Sequence, residues 1–154
     1  MAIPLLRLLH LLLYFVVAVQ LVYYLYLMGD ALQQVSIGAF LEERRIVHPL
    51  VMKRHQAVYY ACLATSVLML FLAWRERTAL GFVPHAIALL CLVADIVIAM
   101  KGNGPINTQI QAAVAAPGTD WEALRTQWLT LIKTRGAVIS AGMLALFIGL
   151  VWRR

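Results

Sequence analysis

The run Ile3–Met28, IPLLRLLHLLLYFVVAVQLVYYLYLM, decides the fold. Only Arg7, His10 and Gln20 interrupt its apolar and aromatic side chains. About 20 apolar residues carry a helix across the ~30 Å hydrocarbon core of a bilayer. Backbone groups in that core must be paired within the segment, which a helix achieves and an open strand does not. The run is too long for the hydrophobic region of a secretory leader, about 7–15 residues, and lacks a small-residue cleavage pattern. It reads as a retained first span, ending at Gly29-Asp30.

The rest of the chain extends this reading. Of 154 residues, 63% are hydrophobic and 13% charged, against roughly 45–50% and 25% in soluble domains. A soluble fold could not hide that much apolar surface, whereas lipid is itself an apolar solvent. Three further segments are long enough to cross, giving spans at about 3–28, 49–74, 78–100 and 134–152. Pro49 suits the first turn of the second span. Lys101-Gly102-Asn103-Gly104-Pro105 is a helix-breaking cluster that closes the third. Arg75-Glu76-Arg77 reads as a tight turn, and Arg153-Arg154 follows the fourth span. The expectation is one all-α domain, an integral membrane four-helix bundle, with two long loops on one side forming an extramembrane cap from segments 30–48 and 101–133.

The fourth helix should begin well before its membrane part. Thr119-Asp120-Trp121-Glu122 has the form of a capping box, in which the Thr hydroxyl and the Glu carboxylate serve exposed backbone N–H groups. No Gly or Pro follows until Gly136, so the helix should run about 30 residues, or about 45–50 Å.

The net charge of +6 does not point to nucleic acid, because the 13 basic residues sit at the ends of apolar segments, where lipid headgroups are nearer. Arg7, Arg75, Arg77, Arg153 and Arg154 fall on the terminus side. The rest fall on the cap side, which by the positive-inside rule places the cap in the cytoplasm. Several of those cap-side residues are site candidates, so orientation stays open. The expected location is the plasma (inner) membrane, multi-pass. Gly136, Ser140, Ala141, Ala145 and Gly149 give the fourth helix a small-residue face that permits close helix contact, and so a homo-oligomer. Cys62 and Cys91 read as small buried hydrophobes. No P-loop, GxGxxG, HExxH, GxSxG or zinc-type Cys/His pattern is present.

A few polar groups stand out against this background. Asp95, inside CLVADIVIAM, costs several kcal/mol in hydrocarbon unless paired, hydrated or protonated. It is either a proton-handling carboxylate or the structural partner of an Arg or His on a neighbouring helix. His48 and His55 are seven residues apart, two helical turns or about 10 Å, too far to share one metal. They line a polar entrance or belong to an interfacial cluster of snorkelling basic side chains. His10 and His85, near the other membrane face, are structural histidines or, alternatively, ligands of a haem or metal between two helices. The sequence itself requires no cofactor.

Trp121, Arg125, Trp128, Ile132 and Arg135 recur at spacings of 4, 3, 4 and 3, within about 40° of one line on a helix. One reading is an interfacial belt, with indoles and guanidiniums at the headgroups. The other is a wall of the cap, with indoles stacking on an aromatic ligand and guanidiniums binding its oxygens.

Gly104-Pro105-Ile106-Asn107, then Trp121-x3-Arg125-x2-Trp128 and Arg135 leading into an apolar helix, resembles the anthrone oxygenase-like family of small four-span membrane proteins. The resemblance covers roughly residues 103–150. Lys133 stands where members of that family often carry Asn. It implies oxidation of an apolar anthrone- or quinone-like aromatic at the membrane interface. Asn103, Asn107, Trp121, Arg125, Trp128 and Arg135 would then bind substrate, and His48, His55 or Asp95 would act as the base. A non-catalytic structural or assembly subunit is the alternative from a different class.

Overall fold

The computed structural model describes residues 2–75, 79–112 and 118–152. Four helices long and apolar enough to cross a membrane account for almost all of them. They are α1 (Ile3–Gln34), α2 (Ile37–Arg75), α3 (Gly81–Ala112) and α4 (Trp121–Trp152). Their lengths of 32, 39, 32 and 32 residues correspond to about 48–58 Å at 1.5 Å per residue, well over the ~30 Å hydrocarbon core. The chain is a multi-pass integral membrane protein, an all-α four-helix bundle. Its outer face carries large apolar side chains such as Leu5, Leu90, Trp74 and Trp152, which lipid would cover.

The ends of the helices interlock in an up-and-down order. Arg45 Nε at the start of α2 donates to the Ile110 carbonyl near the end of α3 (3.1 Å), and Arg125 at the start of α4 reaches the Val35 carbonyl beyond α1 (2.6 Å). At the other end His10 of α1 bonds Ser66 of α2 (2.9 Å) and stacks near His85 of α3. Both inter-helix connections at the cap therefore lie on one side, as the hydropathy pattern implies.

The cap is not made of loops. Segments 30–48 and 101–112 are helical, and only Val35 and Ser36 separate α1 from α2. Ser36 starts α2: its Oγ accepts the Ala39 N–H (3.2 Å) and its carbonyl the Phe40 N–H (3.1 Å). The stretch after it carries Ala39, Leu41, Glu42, Glu43, Arg44 and Arg45, all good helix formers. Its polarity marks an extramembrane helix rather than a loop.

Pro49 lies twelve residues inside α2 rather than in its first turn. A proline cannot donate to the carbonyl four residues back, here that of Arg45. Gln111 of α3 fills the vacancy, its Nε2 donating to the Arg45 carbonyl at 3.3 Å and to Arg44's at 3.1 Å. Likewise Gly102-Asn103-Gly104-Pro105 does not end α3. The chain passes through a π-turn, Ala99–Asn103, closed by the Gly104 N–H on the Ala99 carbonyl, and continues to Ala112. A second π-turn, Tyr24–Met28, interrupts α1 and is closed by the Gly29 N–H on the Tyr24 carbonyl, and the helix continues past Gly29 to Gln34.

At α4 the observed N-cap is Asp120, one residue past the expected Thr119. Asp120 Oδ1 accepts the Ala123 N–H (3.0 Å) and its carbonyl the Leu124 N–H (3.1 Å). Glu122 turns instead to Arg125. Glu76, Arg77, Thr78, Arg153 and Arg154 lie outside the described residues, so the expected tight turn and the basic C-terminus do too.

Three glycines of α4 face the inside of the bundle. A Cβ on Gly136 would sit 2.7 Å from the Leu21 carbonyl oxygen, and one on Gly149 2.6 Å from Pro84 Cγ. One on Gly142 would run into the Tyr14 hydroxyl, which itself donates to the Ala88 carbonyl (3.0 Å). Glycine here lets α1, α3 and α4 approach.

Candidate functional site

The stripe on α4 faces inward. Arg125, Trp128 and Ile132 are buried, and Trp121 and Arg135 are partly so, so it is not a belt at the headgroups. Around it two polar clusters form, one in the cap and one deeper in the bundle.

The cap cluster centres on Trp128, 1% exposed. The Arg44 guanidinium lies 4.5 Å from the centre of its ring system, and Tyr24 and Phe40 meet it edge-on at 5.7 and 5.8 Å. Its Nε1–H donates to Asn107 Oδ1 (3.0 Å), and its backbone carbonyl accepts from Asn103 Nδ2 (3.1 Å). Arg44 is held by Glu43, Nε to Oε2 at 2.7 Å, and by the Tyr24 hydroxyl at 3.4 Å. Arg125 binds Glu122 and the Val35 carbonyl. The indole expected to stack on a ligand is thus already enclosed by the protein. Asn103, Asn107, Arg125 and Trp128 come together as the sequence proposed, but as a closed network. Two buried atoms in it have no hydrogen-bond partner among the described residues: Asn103 Oδ1 and Arg125 Nε.

The second cluster joins three helices. Asp95 of α3, fully buried, accepts from Arg135 Nε of α4 (2.7 Å) and from the Tyr59 hydroxyl of α2 (2.8 Å). Arg135 Nη2 also donates to the Tyr59 oxygen at 3.2 Å. Both carboxylate oxygens are engaged, which is how a membrane helix tolerates such a group. Arg135 and Tyr59 remain partly exposed, the Arg135 side chain at 12%, while the Asp95 carboxylate is closed off. Both π-turns pack against α4 beside these clusters: Tyr24 opens one and Asn103 closes the other. Such turns occur often at functional sites.

His55 is one turn before Tyr59 on the same face of α2. Its Nδ1 lies 3.3 Å from the Val51 carbonyl. A carbonyl only accepts, so Nδ1 is the donor in this contact and Nε2 faces away from it. His48, half-buried, continues the same line toward Arg44. Sequence reading missed Tyr59, Arg44, Tyr24 and Phe40. With α2 extended to Ile37, Arg44, His48, His55 and Tyr59 fall within about 60° of one line, and that periodicity was the available signal.

His10 and His85 meet at the opposite end, with ring centroids 5.6 Å apart and an interplanar angle of 51°. They line a cavity of about 120 Å³ with Arg7, well under the roughly 300–1,000 Å³ of cofactor-sized pockets. Among the described residues no three His, Cys, Asp or Glu side chains gather as a metal site. Comparison with protein-family models, curated proteins and solved structures returned no match.

Proposed function

We propose that this protein is a membrane-embedded oxidoreductase acting on an apolar aromatic of the anthrone or quinone type, which enters from the bilayer at the cap-side interface of a plasma membrane. One observation carries the reading: a buried carboxylate held by a partly exposed Arg and Tyr, with a histidine one helical turn from that Tyr. The resemblance at residues 103–150 adds the substrate class.

The roles of the site residues shift with the geometry. Arg135 and the Tyr59 hydroxyl hold the substrate oxygen, because they are the partly exposed polar groups of the triad. Asp95 positions both and balances the guanidinium, and its pairing with Arg135 makes it a poor base. His55 removes the acidic proton, leaving an enolate whose charge Arg135 stabilises. Dioxygen is then the oxidant: the enolate carbon adds O2 to form a hydroperoxide, whose remaining C–H and O–O bonds break with loss of water, leaving one oxygen atom in the quinone carbonyl and the other in water. Trp128, Asn103, Asn107 and Arg125 fix α4 relative to α1–α3 and shape the site, and Trp121 alone of the two indoles remains partly exposed to meet a ring.

The test is conversion of an anthrone by the purified chain in nanodiscs, followed by quinone absorbance under air. R135Q should abolish turnover, and H55Q should lower it about 10²-fold or more, the usual contribution of a general base. Equal rates for wild type, R135Q and empty nanodiscs would remove the proposal. The closed packing of Trp128 favours a second reading, a non-catalytic membrane subunit for which the cap is a rigid contact surface. That reading predicts no turnover, together with co-purification of a partner lost on cap-surface substitution.

A further inference from the structure

We infer that the end of the bundle opposite the cap holds a separate binding site for a carboxylate group, taken by the head of a fatty-acid-like amphiphile. Arg7, His10, His85, Leu11, Leu146 and Leu150 surround a cavity of about 120 Å³, space for about four waters at ~30 Å³ each. It is large enough for a carboxylate head and too small for a ring system. His10 is 1% exposed. Its Nε2 is committed to Ser66 Oγ at 2.9 Å, while its Nδ1 is buried without a hydrogen-bond partner among the described residues. A buried polar atom in that state costs free energy unless a ligand or water meets it. With the Ser66 hydroxyl donating to Nε2, His10 Nδ1 carries the ring proton, and this donor beside the Arg7 guanidinium on the cavity wall suits an oxyanion rather than a cation.

The amphiphile follows from the surroundings. Leu11, Leu146 and Leu150 give the cavity apolar walls, with Leu150 exposed on the membrane face. Ile3 and Leu6, one helical turn before Arg7 and His10, line an apolar groove on α1 at the same end. A carboxylate seated on His10 and Arg7 would leave its chain along hydrocarbon, with no polar group to desolvate.

The experiment uses the full chain in detergent and ¹³C-carboxyl-labelled laurate, with acetate and dodecanol as companions. Laurate should bind saturably, about one per chain, with a shifted carboxyl resonance. R7Q and H10F should weaken it about ten- to a hundredfold, the worth of a charge-assisted hydrogen bond. Acetate competing for the site would show that the head alone is recognised, from a soluble or a lipid source. Laurate binding without acetate competition would assign the lipid source. Dodecanol binding as tightly as laurate, or unchanged laurate affinity in both variants, overturns the inference. If H10F loses helical circular dichroism, L150W, which fills the mouth and leaves the polar groups in place, decides. Undiminished laurate binding in L150W likewise overturns it.

Discussion

The two ends of the bundle handle polar groups in opposite ways. At the cap, Trp128 has a ring, a cation or a hydrogen-bond partner on every side, and the guanidiniums of Arg44 and Arg125 each meet a carboxylate. At the far end a buried imidazole stands over a cavity with one nitrogen unanswered. The cap is therefore rigid architecture that frames a site, whereas the far end is a receptacle. Buried polar groups stabilise a fold when their partners come from the chain. In the cap Asn103 Oδ1 and Arg125 Nε lack one among the described residues, but each belongs to a side chain otherwise bonded within the network, whereas the unpartnered His10 nitrogen lies at a cavity. Between the ends the Asp95 triad is satisfied internally yet exposes Arg135 and Tyr59.

The sharpest challenge to this contrast falls on the triad. D95A leaves the largely buried Arg135 guanidinium without its counter-charge, only the Tyr59 hydroxyl remaining, and should cost about 3 kcal/mol, read as an earlier midpoint in an SDS titration followed by circular dichroism. The double replacement D95L/R135L should recover most of that loss. If D95A alone is neutral, the ion pair does not hold the three helices. W128A should cost a similar amount, about 3 kcal/mol, from the cavity left among Tyr24, Phe40 and Arg44. A loss under about 1 kcal/mol would mean that the cap is looser than its packing implies. H10F at the far end should cost only about 1 kcal/mol, the net value of its one bond to Ser66. A penalty as large as that of W128A would erase the distinction between the ends. D120A, which removes the N-cap of α4 without touching either cluster, should also cost about 1 kcal/mol, and thermal melts should show fraying confined to the cap.

Reading residues 3–28 for length and apolarity was enough to find the bundle, because solvent preference is additive along a chain and needs no knowledge of neighbours. The same is true of the fourth helix starting near Trp121, and of Asp95 as a costly group. Helix ends were less legible. Polar residues 37–48 are helical because helices can continue past the membrane, and Pro49 and Gly104-Pro105 are tolerated because a side chain from another helix or a π-turn supplies what the backbone lacks.

Partnership is what only the tertiary structure decided. Periodicity placed Trp128 and Arg125 on one face of α4, but nothing local says whether that face meets lipid, ligand or three other helices. Arg44 over Trp128, Tyr59 on Asp95 and Gln111 on the Arg45 carbonyl join residues 36 to 84 positions apart in the chain. Hydropathy sums single-residue terms and so fixes where the chain resides. Hydrogen bonds and cation–π contacts are pairwise and short-ranged, so they exist only once the helices have been brought together.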